Sequence, residues 1–219
     1  LPGRLATALD TQAAGGPQDL GLEGGVERAA GWLGEAGAAA VLIASPYLTR
    51  EEGEAFLALA RAVGAPARLL ASPDFGGDDV LLSGERAPNQ RGLLELGLEA
   101  LDAETARKAL ATAPAALLAG EKGLHLLHGI EPADPAPAFP ATDAGPRGIV
   151  LDTHPREGFA LNLPARSWVE KSGRVTNGQG LERILRAVLA PPPGVPSGED
   201  LFAAITEAAT QAVSGGARG

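Results

Sequence analysis

Apolar residues recur at helical spacing from Leu22 through Val26, Ala29, Ala30 and Leu33. That periodicity predicts an amphipathic helix ending near Gly34–Gly37. Ala38–Ser45 follows as a continuous apolar run, the pattern of a strand buried on both faces, as in a parallel sheet. Ser45-Pro46 closes it. Thr49 then precedes Glu52 by three, a capping-box spacing. The helix it opens carries Phe56, Leu59, Ala60 and Val63 on one stripe and stops at Gly64. Ala67–Ala71 reads as a second strand, so the segment predicts a right-handed βαβ unit.

The punctuation continues. Ser72–Gly92 is predicted to be mostly loop. Asp102 caps a helix over Ala103–Thr112 that Pro114 ends. Ala115–Ala119 is a short strand or a helix end, and Leu124–His128 a strand. Gly129–Pro146 carries five prolines and cannot be regular throughout. Gly148–Asp152 and Ala160–Leu163 are apolar strand candidates. Leu181, Leu185 and Val188 predict a helix over Leu181–Leu189, stopped by Pro191–Pro193. Ser197 and Asp200 cap a last helix whose inner face is Leu201, Phe202, Ile205, Ala209 and Ala212. The expected organisation is a linker or tail of a preceding domain over 1–25, one α/β domain with a mostly parallel, Rossmann-like sheet over 26–213, and a disordered tail over 214–219.

Composition narrows the function classes. The chain has 219 residues, long enough for a real core, and a formal net charge of −9 without long runs of like charge. Clustered Lys and Arg for nucleic acid or anionic lipid are missing. There is no Cys, so thiolate metal sites, cluster ligation and a Cys nucleophile fall away for this segment. There is no Met, and the sequence is expected to be a piece of something longer. No stretch is apolar enough to span a membrane as a helix.

Catalytic motifs are scarce. Gly178-Gln179-Gly180 lacks the third glycine of a dinucleotide loop, and no Gly-Lys-Ser/Thr or Gly-x-Ser-x-Gly occurs. His125 and His128, three apart on a strand, point to opposite faces and make a poor metal pair. His154 follows a strand end, where open α/β sheets bind ligands. Glu170 stands in the charged turn Glu170-Lys171-Ser172-Gly173, with a turn-stabilising role as its plainest reading. Asn89 and Asn177, each near glycine, suit turn geometry. Trp168 reads as a core or interface anchor.

The order of segments carries a resemblance. Ser45-Pro46-Tyr47-Leu48-Thr49-Arg50-Glu51-Glu52 resembles the start of the cofactor-embracing α/β domain of the molybdopterin oxidoreductase superfamily. Ala87-Pro88-Asn89-Gln90-Arg91-Gly92 resembles its Pro-Asn-x-x-Gly loop, and Leu126–Pro132 its strand followed by Gly-x-Asn-Pro, with Glu131 in place of Asn. Ile149–Thr153 resembles the strand ending in Asp before a Thr-rich step. Leu163-Pro164, Glu170–Gly173 and Thr176–Gly180 resemble Leu-Pro, Glu-x-x-Gly and Thr-Asn-x-Glu-Gly-Arg, and Pro191–Gly194 resembles the Pro-Pro-Gly before the last helix. The likeness covers about Gly25 to Val213. It is nearest to the C-terminal α/β part of the large iron–sulfur subunit of NADH-quinone oxidoreductase, respiratory complex I.

That resemblance implies a degenerate domain with a structural and assembly role in the electron-transferring peripheral arm. Its partners would be other peripheral-arm subunits, on the cytoplasmic side and peripheral to the membrane. No catalytic residue, metal ligand or cofactor is expected in this segment, the iron–sulfur clusters belonging to upstream domains. The positions it assigns to an ancestral cofactor, expected to be vestigial, are Ser45, Asn89, Gly129, Glu131, Asp152, Thr153, Glu170 and Asn177. Departures at Glu131 and at Gln179-Gly180-Leu181 set this chain apart, and an acidic Glu131 would repel a pyrophosphate. The alternative is part of an active molybdenum or tungsten bis-guanine-dinucleotide oxidoreductase of the formate dehydrogenase or nitrate reductase type, which would bind molybdopterin guanine dinucleotide. A generic α/β binding module is the third reading.

Overall fold

Thr49 and Glu52 form the capping box their spacing predicts. Thr49 Oγ1 accepts from Glu52 N at 3.2 Å, and Glu52 Oε2 accepts from Thr49 N at 2.9 Å. Together they open helix α2 (Arg50–Val63), which ends on Gly64 at φ 79°, the left-handed conformation favoured by glycine. The computed structural model describes residues 21–72, 87–121, 147–156 and 158–216, with side chains as far as residue 211. The expected strand Leu124–His128, the proline-rich segment, Gly129, Glu131, His125 and His128 lie outside the described residues.

Six strands form one parallel sheet: β1 (Val41–Ala44), β2 (Ala67–Leu70), β3 (Glu99–Leu101), β4 (Ala115–Ala119), β5 (Arg147–Asp152) and β6 (Leu161–Pro164). Their order is β3-β2-β1-β4-β5-β6. The chain steps outward in one direction from β1 through β2 to β3, then returns to β4 on the other side of β1. The fold is thus α/β with a Rossmann-like strand order, and its switch point falls between β1 and β4.

Helices cover both faces. On one lie α1 (Gly21–Ala36), α2 and α5 (Gly198–Gly216); on the other lies α4 (Ala103–Thr112). The predicted stripes are the buried ones: Val26, Ala29, Ala30 and Leu33 in α1, and Phe56, Leu59, Ala60 and Val63 in α2. Helix α5 lies against both α1 and α2 and buries Leu201, Phe202, Ile205 and Ala209. Phe202 meets Phe56 edge-on, with ring centroids 5.4 Å apart. Asp102 caps α4, accepting from Thr105 N at 2.8 Å. On that face Ala106 and Leu110 pack against Ile43, Leu70, Leu118 and Val150.

Three expectations change. The run before β1 begins as a 3₁₀ turn over Gly37–Ala39, so the strand is shorter than Ala38–Ser45. Helix α3 (Gln90–Glu95) and β3 are additional elements. The helix expected over Leu181–Leu189 is instead strand β8 (Glu182–Leu185), antiparallel to β7 (Gly173–Thr176). Asn177 explains the turn: its Oδ1 accepts from Gln179 N and Leu181 N at 3.1 and 2.9 Å. Helical spacing at Leu181 and Val188 requires a surface to bury them, and both stay exposed.

Phe202 is fully buried, so Phe202→Ala is expected to lower unfolding stability by about 3–5 kcal/mol. Urea unfolding followed by circular dichroism measures it; a loss under about 1 kcal/mol would contradict the packing described.

Candidate functional site

The carboxyl ends of the parallel strands meet at one edge, where open α/β folds place ligands. Ser45 follows β1, Gly120 and Glu121 follow β4, Asp152 ends β5 and Thr153 follows it. The backbone zips these ends together: Ser45 N donates to Ala119 O at 2.8 Å, and Gly120 N to Leu151 O at 3.0 Å. Ser45 is fully buried. Its Oγ donates to Glu121 O at 2.9 Å and accepts from Tyr47 N at 3.3 Å. Gly120 sits at φ 102° hard against it: a Cβ there would lie 2.5 Å from Ser45 Oγ. The β1 and β4 ends are therefore in direct contact.

The connector between β6 and β7 closes over this point. Glu121 Oε2 accepts from Trp168 N at 2.6 Å, and Trp168 stands edge-on to Tyr47 at 5.8 Å. Trp168 is thus an anchor between segments. Asp152, 3% exposed, is held by its own loop. One carboxylate oxygen accepts from Thr153 N and Oγ1 at 2.6 and 3.1 Å; the other pairs with Arg156 Nε at 2.8 Å. His154 Nδ1 lies 2.9 Å from Thr153 Oγ1.

The other expected positions lie along the loops that pack beside α2. Asn89 is fully buried. Its Nδ2 donates to Leu48 O at 2.9 Å and its Oδ1 accepts from Thr176 N at 2.7 Å, so one amide joins the β1–α2 loop to β7. Glu170 Oε2 accepts from Ser167 N at 2.9 Å and caps the 3₁₀ turn Trp168–Glu170. Asn177 shapes the β7–β8 turn. Ser45, Asp152 and Thr153 therefore gather at the sheet edge, while Asn89, Glu170 and Asn177 act as separate local staples.

The buried ion pair was not evident from the sequence. Lys171 Nζ lies 3.0 Å from Glu52 Oε2 and donates to Tyr47 O at 3.1 Å. Both side chains are almost fully buried. The capping box marked Glu52 as a cap, but nothing local to Lys171 names its partner 119 residues away. Beside the pair a polar cleft of about 30 Å3 is lined by Thr49, Arg166, Ser172, Ser197 and Glu199. That is room for a water or two. Next along α2, Glu51 Oε1 pairs with Arg174 Nε at 2.7 Å. Burial pushes the Glu51 carboxyl up, but the hydrogen bonds of Arg174 outweigh it and hold the group below its ordinary value.

Among the described residues, the positions expected to face a dinucleotide are taken up by internal contacts. Ser45, Asn89 and Asp152 hydrogen-bond within the protein, and the carboxylates of Glu121 and Asp152 accept from Trp168 N and Arg156 Nε. No group of three or more potential metal-binding His, Asp or Glu residues occurs among the described residues. No family model matches the chain, and no curated protein matches it.

Removing one partner of the buried pair is expected to be costly: Lys171→Met lowers stability by about 3–5 kcal/mol, and adding Glu52→Gln restores part of it. A double-mutant cycle in urea measures the coupling, and additive losses would contradict it.

The Glu51–Arg174 pair sets a pH dependence. Because the folded value is depressed, its contribution is complete above the ordinary 4.5 and is lost as pH falls through the folded value. Stability is expected to decline below about pH 4.5, less steeply in Arg174→Gln, as read from thermal melts between pH 6 and pH 3. Equal slopes would show that the pair contributes nothing.

Proposed function

We propose that this chain is the C-terminal α/β part of the large iron–sulfur subunit of NADH-quinone oxidoreductase. In this reading it is a molybdopterin-type domain kept for folding, assembly and packing against other peripheral-arm subunits. One observation carries the structural half of the proposal. The described positions that the family resemblance assigns to an ancestral cofactor are engaged in hydrogen bonds that hold the domain together. Asn89 is the clearest case, since its buried amide joins two distant segments. The strand order agrees with such an ancestor, although fold alone does not carry function. Among the described residues no helix is long and apolar enough to cross a membrane, which suits attachment through partner subunits.

In this reading the domain's residues position neighbours, and electron transfer belongs to the clusters of upstream domains. The test uses the full-length subunit, tagged and purified from its native membranes. It is expected to copurify with NADH-quinone oxidoreductase activity and with iron, without stoichiometric molybdenum or tungsten. Asn89→Ala leaves buried donors and acceptors unpaired and is expected to cost about 2–3 kcal/mol of domain stability. It should reduce the amount of assembled complex while leaving turnover per assembled complex unchanged. Stoichiometric molybdenum, or turnover lowered in fully assembled complex, would overturn the proposal.

A further inference from the structure

The ribbon of β7 and β8 projects one strand away from the domain. Its two edges are treated differently. On β7, Arg174 N donates to Glu51 Oε2 at 2.9 Å and Thr176 N to Asn89 Oδ1 at 2.7 Å, so side chains from the domain close that edge. In an antiparallel ladder this alternation turns Gly173 and Val175 toward β8, opposite Leu185 and Arg183. The backbone N–H and C=O of Glu182 and Ile184 then point outward. Among the described residues β8 pairs with β7 alone.

The side chains on this open edge are unusual for one left in water. Ile184 is 73% exposed and Val188 79%, with Leu189 and Leu181 also exposed. Val188 N and Leu189 N both donate to Val169 O, at 2.8 and 3.0 Å, which brings the exposed Val169 into the same patch. Open strand edges in soluble proteins are usually blunted by charge, proline or short length, and a central exposed Ile does the reverse. Charge adds direction. The chain carries −9, yet Arg183 and Arg186 flank Ile184 with no carboxylate in ion-pair distance among the described residues. Glu182, the acidic neighbour, is shared between Arg50 and Arg174, each at 3.9 Å.

We propose that β8 is a docking edge for an extended segment of a partner protein, which adds to the ribbon as a third strand. The partner segment carries two carboxylates three residues apart with apolar side chains between them. Paired along the edge, the carboxylates meet Arg183 and Arg186 while an apolar residue covers Ile184, whichever way the strand runs. This surface lies on the far side of the ribbon from Asn89 and Glu51. The inference does not rest on the respiratory-complex reading.

The test titrates the full 219-residue chain with a capped peptide, Thr-Glu-Val-Val-Glu-Thr, and with its Thr-Lys-Val-Val-Lys-Thr counterpart, each at millimolar concentration. Amide hydrogen exchange and NMR shifts are followed at Glu182 and Ile184. The acidic peptide is expected to bind and slow exchange at Ile184, and the basic one to do neither. Ile184→Pro removes an outward-facing N–H without a bond to β7 and is expected to abolish the acidic peptide's effect, with the shifts of the parallel sheet unchanged. Arg183→Glu with Arg186→Glu is expected to weaken the acidic peptide by about tenfold and to favour the basic one. Three results would each overturn the proposal: equal response to the two peptides, acidic binding that survives both variants, or self-association of the chain through β8 that excludes the peptide.

Discussion

Glu52 is the group on which the C-terminal third of the chain is hung. Its backbone N–H and its carboxylate close the first turn of α2, and the same carboxylate receives the ammonium of Lys171. A third neighbour is Gly198, at the start of α5, where a Cβ would stand 2.9 Å from Glu52 Cδ. The Glu52 carboxylate thus sits at the N-termini of two helices and against one buried ammonium. A buried ion pair is weak evidence of net stability, because desolvation offsets attraction. Its value here is positional. Lys171 is almost fully buried, and the geometry that satisfies it ties the 3₁₀ turn and the start of β7 to α2.

The contacts between the β1 and β4 ends adjoin that arrangement. Lys171 donates to Tyr47 O as well as to Glu52, so the β1 loop and the β6–β7 connector share one ammonium. Trp168, three residues before Lys171, then reaches Glu121 and Tyr47. Gly120 packs directly on Ser45, since any side chain there would strike it. Among the described residues the strand ends are satisfied by protein groups, Ser45 by Glu121 and Tyr47, and Asp152 by Thr153 and Arg156.

Much of the fold was legible because its signals are local. The capping box at Thr49, the cap at Asp102, the stop at Gly64 and the stripe from Val26 to Leu33 each depend on residues within a few turns. A continuous apolar run marked β1 as a strand buried on both faces, β5 was a strand candidate and β4 a strand or a helix end, and all three lie in the parallel sheet with their core positions buried. Short elements were harder. A three-residue edge strand such as β3 has too few positions to show a period. At the site, turn roles for Glu170 and Asn177 could be read from their neighbours, whereas Asn89 and Lys171 act across the chain. Their partners Thr176 and Glu52 are visible only once the chain has folded.

The segment Leu181–Leu189, helical by spacing and extended in the fold, shows what periodicity measures. Spacing reports a face that can be buried, and a helix results only where a surface receives that face. In α1 and α5 such a surface exists, because α1 packs against the sheet and α5 against α1 and α2. Around β8 it does not. The Asn177 turn instead commits the chain to pair with β7, and Asn177 N donates to Leu181 O at 3.1 Å to start the ladder. Once the ribbon forms, its apolar residues fall on both sides of an unprotected strand. A leucine-rich run that the fold leaves in water is therefore an argument from local geometry to an external contact. The same ribbon supplies the control, because its β7 edge, closed by Glu51 and Asn89, is the one the domain has already used.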